Sequence, residues 1–287
     1  GKRNREFIAA ALEYGEKCLR RFFDETGLDP ASIDALITLS CTGLMIPSVD
    51  AYLMNRLGIR KTAVRLPITE LGCAAGAFSL SRADEFLRAR PGSKVVVLAL
   101  EFPSLTMNVK NLDLVNIVSS VLFGDGVAAI LLDDQPGRGL RIRASRSELY
   151  PDTEYLMGFD LSDDGLQVVL DRDVPPTIKG NIRRSVTTFL DDHRLDPEDL
   201  AFTLLHPGGR KLVDHIETEL ALSPDMTALS RSVLRDHGNM SSATIFYVIE
   251  RFLREFASSY ATGEKGLIAA MGPGFSIEQL LTEWDAG

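Results

Sequence analysis

Strand-like apolar runs alternate with helical stretches along most of this chain, and that alternation restricts it to a layered α/β architecture. The clearest run is Lys94-Val-Val-Val-Leu-Ala-Leu100, which is apolar without alternation, the pattern of a strand buried on both faces. Ile33 to Leu39 and Ala63-Val-Arg-Leu-Pro-Ile68 read as two further buried strands ahead of it, with a helix from Ser48 to Leu57 between them. A helix with small residues in its first turn is predicted over Ala74 to Arg90, and another over Leu112 to Val121. Gly126 to Leu132 continues as strand after the turn Phe123-Gly-Asp-Gly126. The start differs: Gly1-Lys-Arg-Asn-Arg-Glu runs into a helical pattern carried by Phe7, Ile8, Ala11, Leu12, Cys18, Leu19 and Phe22, with no strand before it.

The polar segment Asp133-Asp-Gln-Pro-Gly-Arg-Gly139 divides the chain into an N-terminal part, 1–134, and a C-terminal part, 140–287. In the second part Leu140 to Leu149 and Leu166 to Leu170 read as strands. A helix opens at Pro175-Pro176, where proline suits a first turn. Phe202 to Leu205 is a strand ending at His206, and Gly266 to Met271 precedes Gly272-Pro-Gly274 and a last strand-like run to Leu281. Both parts thus end in a strand–turn–strand pattern around glycines, which points to a duplicated fold.

The bulk properties exclude several functions. A net charge of −9 argues against a general nucleic-acid binder, and any polyanionic ligand must find a local basic patch. No apolar run approaches the roughly 18 residues that span a membrane. Three cysteines, at 18, 41 and 73, make no disulfide framework and indicate a reducing, cytoplasmic setting. None of His193, His215 and His237 has metal-ligand spacing with them, so no catalytic metal is expected.

Cys73 falls in Leu-Gly-Cys-Ala-Ala-Gly, where a strand run breaks at a glycine and a helix begins. A cysteine there lies at the positive end of the helix dipole, which favours thiolate and predicts a lowered pKa and preferential alkylation by iodoacetamide. Gly72 permits the tight turn, and Ala74, Ala75 and Gly76 are expected to keep the space around the sulfur clear. Cys18 reads as core on an apolar helix face and Cys41 as a structural residue at a strand end. His206 closes a strand before Pro207-Gly-Gly209, a position from which a ring can enter a cleft. Asn239 stands before a long helical stretch, Ser241 to Ser259, and reads either as a cap, as Ser241 and Ser242 do, or as an active-site amide. Phe123 is a core aromatic at the lip of a turn. Together cysteine, histidine and asparagine have one coherent chemistry: a thiolate nucleophile paired with an imidazole, and two N–H donors for a developing oxyanion.

These motifs resemble the type III polyketide synthases, the chalcone/stilbene synthase family, over essentially the whole chain. Cys73 matches the family nucleophile, Phe123 in Leu-Phe-Gly-Asp-Gly the gatekeeper, and His206 in His-Pro-Gly-Gly with Asn239 in Gly-Asn-Met-Ser-Ser the remaining catalytic pair. Cys-Thr-Gly-Leu-Met-Ile-Pro over 41–47 and the alanine after Cys73 are closer to the bacterial branch. The resemblance implies a thiolase-like duplicated α/β/α layered fold. It also implies decarboxylative condensation of malonyl-CoA units onto an acyl-CoA starter held on the cysteine, then cyclisation, with coenzyme A thioesters as substrates and no permanently bound cofactor. It places Ile46, Thr106, Val168, Ser241 and Met271 around the pocket and Gly208, Gly209 and Lys211 near coenzyme A. It implies a homodimer in which Ile46 reaches the partner's cavity. Val168 stands where a second gatekeeper phenylalanine is usual, a wider pocket that suits a fatty acyl starter. Members of the family carry further residues ahead of this start, including basic surface for coenzyme A, so the N-terminal half reads as incomplete.

Three rivals share parts of this pattern. A ketoacyl-ACP synthase III performs one condensation but typically shows Gln-Ala-Asn after its histidine. An HMG-CoA synthase needs a glutamate base near the cysteine, for which Glu70 and Glu101 are candidates outside that family's pattern. A truncated, non-catalytic protein that only dimerises is opposed by the intact Cys73, His206 and Asn239.

Overall fold

The computed structural model describes residues 1–108, 111, 113–162 and 165–287. The first half begins with α1 (Lys2–Thr26), stopped by Gly27 in the left-handed region at φ 67°. There follow β1 (Ala35–Leu39), α2 (Val49–Leu57), β2 (Val64–Ile68), α3 (Ala75–Ala89), β3 (Lys94–Glu101), α4 (Leu114–Leu122) and β4 (Gly126–Asp133). Leu112, expected to open α4, lies outside the described residues. The second half runs β5 (Gly139–Leu149), β6 (Met157–Ser162), β7 (Gly165–Leu170), α5 (Val174–Asp191), β8 (Phe202–Leu205), α6 (Arg210–Glu219), α7 (Pro224–His237), α8 (Thr244–Arg251), β9 (Lys265–Gly272) and β10 (Ser276–Asp285).

Two four-stranded sheets result, ordered β2-β1-β3-β4 and β5-β10-β9-β8, with β6 and β7 pairing as a separate hairpin. In the first, β1 and β3 are parallel and β4 returns antiparallel; in the second, β8 and β9 are parallel and β10 returns antiparallel. The same three-strand device thus occurs twice, as the glycine-flanked patterns suggested.

Strand periodicity sorts the side chains into layers. Ala35, Ile37 and Leu39 of β1 and Val95, Val97 and Ala99 of β3 enter a central core, whereas Leu36, Val96, Leu98 and Leu100 enter an outer core under α1 and α2. In the second sheet Phe202, Leu204, Ile268 and Ala270 face the centre, and Leu205, Leu267, Ala269 and Met271 face an outer core with α5 and α6. The central core holds α3 and α8, which therefore serve both sheets. The architecture is five layers, α/β/α/β/α, with the middle helices shared.

Three expectations change. The Ala63–Ile68 run is an edge strand, with Val64 to Pro67 exposed, and a proline fits an edge. The helical stretch from Ser241 to Ser259 is broken: a 3-10 turn (Ser241–Ala243), then α8, then a π-helical segment (Phe252–Phe256) and a further 3-10 turn. The hairpin strand β6 had no prediction, because Met-Gly-Phe-Asp-Leu-Ser lacks a clean alternation.

Candidate active site

Cys73 is the middle residue of a 3-10 turn, Gly72–Ala74, that leads into α3. Gly72 has φ +47°, and a Cβ there would lie 2.8 Å from Pro273 Cδ, so both backbone and space demand glycine. The small residues that follow do not clear room for a ligand. A Cβ on Gly76 would fall 2.4 Å from Ile245 Cγ2 and 2.5 Å from the Ser242 carbonyl oxygen, so its role is to let α3 and α8 touch.

The α8 side supplies the partners. Asn239 is pinned through its backbone: its N–H donates to Leu122 O at 2.9 Å, its carbonyl accepts from Gly124 N at 3.0 Å, and it bridges Phe123. Its side chain is equally constrained. Oδ1 accepts from Ser241 N at 2.9 Å, and Nδ2 donates to Gly208 O at 3.1 Å. The same amide thus makes the cap-like bond to Ser241 N and lies beside the thiol. Cys73 Sγ lies 3.9 Å from Asn239 Oδ1 and 4.0 Å from Nδ2, and 3.7 Å from Ser241 Oγ.

His206 follows β8 directly, its N–H donating to Ala269 O at 2.8 Å. The ring is buried and neither nitrogen has a partner on the protein, among the described residues. An imidazole with both nitrogens unsatisfied points to a ligand it has yet to meet. Gly208 ties it to the amide, since a Cβ on that residue would lie 3.7 Å from His206 Nε2 while its carbonyl holds Asn239.

The electrostatics correct the expectation of a lowered thiol pKa. Burial pushes the Cys73 thiol up to about 11, with the Ser241 hydroxyl opposing that rise. Burial lowers the His206 imidazole to about 4. Both groups are held neutral, because burial strips the charged form of its hydration. Cys18 is likewise raised to about 11 by burial, so preferential alkylation of Cys73 does not follow from its pKa.

Cys41 is more than a strand-end residue. Its Sγ lies 3.3 Å from Ser241 Oγ, which places that hydroxyl between two thiols. Behind it is Glu101, fully buried, which accepts from Cys41 N at 3.1 Å, Thr42 Oγ1 at 3.2 Å and the Ser242 hydroxyl. Burial raises this carboxyl. Glu101 is thus consumed in holding two loops together, and Glu70 is exposed, so neither is placed as a general base on the sulfur. Sequence reasoning missed this cluster because Cys41, Glu101 and Ser242 are far apart in the chain.

The other singled-out residues divide. Phe123, half-buried, shares the bridge with Asn239 at the end of α4. Ser241 is at the thiol. Gly208 supports Asn239 through its carbonyl; Gly209 is the residue before α6, and Lys211 is exposed on its first turn. Thr106 is buried with its hydroxyl donated to Pro103 O at 2.8 Å. Val168 sits on β7 opposite Phe159 of β6. Met271 packs in the outer core of the second sheet, and it is the following glycine-proline loop that touches the Cys73 turn. Ile46 is 99% exposed. His237 contacts Arg251 Nη2 at 3.3 Å.

Comparisons with known proteins identify the family. The profile of chalcone and stilbene synthases, N-terminal domain, matches residues 2–136, and that of the C-terminal domain matches 141–283. The chain is 35% identical over 289 residues to a 1,3,6,8-tetrahydroxynaphthalene synthase of Streptomyces peucetius subsp. caesius, covering 99% of this chain and 76% of that protein. It is 35% identical over 278 residues to the phloroglucinol synthase of Pseudomonas fluorescens (strain Pf-5), covering 96% and 78%. The crystal structure of 1,3,6,8-tetrahydroxynaphthalene synthase from Streptomyces coelicolor A3(2), a bacterial type III polyketide synthase, superimposes with a TM-score of 0.95 at 32% identity, covering 100% of this chain and 81% of that one. The chain belongs to the chalcone and stilbene synthase family: it is a type III polyketide synthase with a thiolase-like fold, an acyltransferase that condenses malonyl-CoA units onto a starter.

Proposed function

We propose that Cys73 carries the starter and that His206 and Asn239 manage charge around it. The observation that supports this most is a buried thiol about 4 Å from a constrained amide, which is itself held by the loop of a buried imidazole whose two nitrogens are free among the described residues. The thiol attacks the acyl-CoA carbonyl as its proton passes to the neutral imidazole, which returns it to the departing coenzyme A thiolate. Malonyl-CoA then loses its carboxyl group as carbon dioxide. The resulting enolate oxygen takes hydrogen bonds from a His206 N–H and an Asn239 Nδ2–H. The enolate carbon attacks the Cys73 thioester, freeing the sulfur and leaving a chain two carbons longer on coenzyme A. Low polarity helps, because carboxylate loss spreads charge that a dry site solvates poorly.

Phe123 and Val168 border the acyl space in this reading, Ser241 polarises the sulfur, and Thr106 is a wall residue whose hydroxyl is already engaged. Gly208, Gly209 and Lys211 lie at the coenzyme A side. The two halves meet in the linker between residues 134 and 140, and each supplies part of the triad. A second copy covers the exposed Ile46, Val64 and Leu66 around edge strand β2, which makes the functional unit a homodimer. No helix among the described residues is long and apolar enough to cross a membrane.

The test supplies malonyl-CoA carrying carbon-14 at its central carbon with acyl-CoA starters of graded length. Labelled extended products are expected from the wild type, with the best starter reporting the depth of the pocket, and none from Cys73→Ala. If the two proteins behave alike, the assignment of the nucleophile fails.

A further inference from the structure

The helix α4 is inverted relative to an ordinary amphipathic helix. Its outward face is hydrocarbon: Leu114 is 75% exposed, Val121 84%, and Ile117 and Val118 are also exposed. Its one buried residue is Ser119, 3% exposed, and none of its side chains joins any of the three hydrophobic cores. The Ser119 hydroxyl has no partner on the protein, among the described residues. A helical serine ordinarily returns its proton to the carbonyl four residues back, as the adjacent Ser120 does with Asn116 O at 2.7 Å. Ser119 does not, and an unmet buried hydroxyl carries a desolvation penalty unless something else occupies it.

Its position says what that is. Ser119 lies one turn before Phe123, whose N–H donates to the Ser119 carbonyl at 2.9 Å. On the same inward stripe Leu122 approaches Gly209, with Cδ1 3.9 Å from where a Cβ would be, and the Leu122 carbonyl holds the Asn239 N–H. The stripe therefore faces the His206–Gly209 loop at its C-terminal end, while α4 also packs on β7, the strand of Val168. Ser119 precedes Leu122, the residue that reaches that loop, by three residues, about 4.5 Å of helix rise along the same face.

We infer that Ser119 is a specificity-determining residue whose hydroxyl donates a hydrogen bond to a keto oxygen of the growing polyketone chain. This rests on the condensing role proposed for Cys73. The ligand class is a poly-β-keto thioester, since an all-hydrocarbon chain offers nothing to a buried donor whereas a polyketone presents a carbonyl every second carbon. Holding that carbonyl favours another extension over early release.

Ser119→Ala removes the hydroxyl with little change of shape, and Ser119→Thr keeps it. The readouts are Cys73 acylation by a radiolabelled acyl-CoA, the ratio of longer to shorter products by mass spectrometry, and the melting temperature. Acylation by Ser119→Ala should equal that of the wild type, while the product ratio moves toward shorter chains by about 5- to 10-fold, the worth of one hydrogen bond. The melting temperature should hold or rise, and Ser119→Thr should restore the longer products. An unchanged product ratio in Ser119→Ala, or a fall in melting temperature showing that the hydroxyl serves the fold, overturns the inference while leaving the role of Cys73 intact. A wild type that never acylates Cys73 overturns both.

Discussion

Two turns meet at the centre of the molecule, and they are built alike. Gly72-Cys73-Ala74 opens α3 and Ser241-Ser242-Ala243 opens α8; each is a 3-10 turn, and each begins with a left-handed residue, at φ +47° and +50°. Cys73 and Ser242 hold equivalent places. The thiol faces Asn239 and Ser241, while the hydroxyl donates to buried Glu101. The difference lies in the first residue. Pro273 leaves no space for a side chain at Gly72, whereas Ser241 accepts a backbone conformation that costs an L-residue about 1–2 kcal/mol and sets its hydroxyl between two sulfurs. One backbone device, used twice, thus presents the Cys73 thiol on one side and the groups that face it on the other.

Removing the amide beside the second turn should have the largest effect. Asn239→Ala is expected to lower malonyl-CoA decarboxylation by about 100- to 1,000-fold, the usual loss for one oxyanion donor. Near-normal carbon dioxide release from that variant would take Asn239 out of the chemistry. Gly72→Ala attacks the first turn instead, combining a disfavoured φ with a 2.8 Å approach to Pro273, and should destabilise by about 3 kcal/mol in urea titration. A loss under about 1 kcal/mol would mean that the two turns are not held as tightly as their packing indicates.

His206 separates the donors by charge, since Asn239 cannot titrate. Its folded pKa, lowered by burial to about 4, lies below the unfolded value near 6.5. The unfolded chain therefore binds the proton first, so its share of stability is present above pH 6.5 and is lost as pH falls through 4. That share is about 3 kcal/mol. His206→Gln should flatten this part of the stability–pH curve; an unaltered curve would show that the ring is not desolvated. Ser241→Gly gives the smallest change, because relief of the left-handed strain offsets the entropy glycine loses on folding, and stability should stay within about 1 kcal/mol of wild type. The hydroxyl opposes the rise of both the Cys73 and Cys41 thiols, so its loss should slow their alkylation at a fixed alkaline pH. Equal alkylation rates would sever the link between the turns.

Much of the frame was legible in the residues, and for identifiable reasons. Lys94–Leu100 and Phe202–Leu205 are short, apolar and bounded by turn residues, so their strands emerged with nearly the right ends. The edge position of β2 was written in Pro67 but obscured by its apolar neighbours. Cys73, His206 and Asn239 could be singled out as candidates because each stands beside glycines at a strand or helix end. Their protonation was not, since desolvation depends on which distant segments close over the sulfur. Nor was the Cys41–Ser241–Cys73 cluster, because contacts across 168 and 200 residues leave no local pattern.

The shared middle layer has a consequence for synthesis. The central core runs from Ala35 to Trp284, and α3 packs on β9 and β10 as well as on its own sheet. As the chain leaves the ribosome, the second flank of α3 has no cover until the last strand is made. With elongation at about 5–20 residues per second, the helix that carries Cys73 waits on the order of 10 s or more for its other face. Losing the β9–β10 hairpin would uncover that flank and the loop pressed against Gly72, so strands about 200 residues downstream are as much a part of the surroundings of Cys73 as the residues beside it.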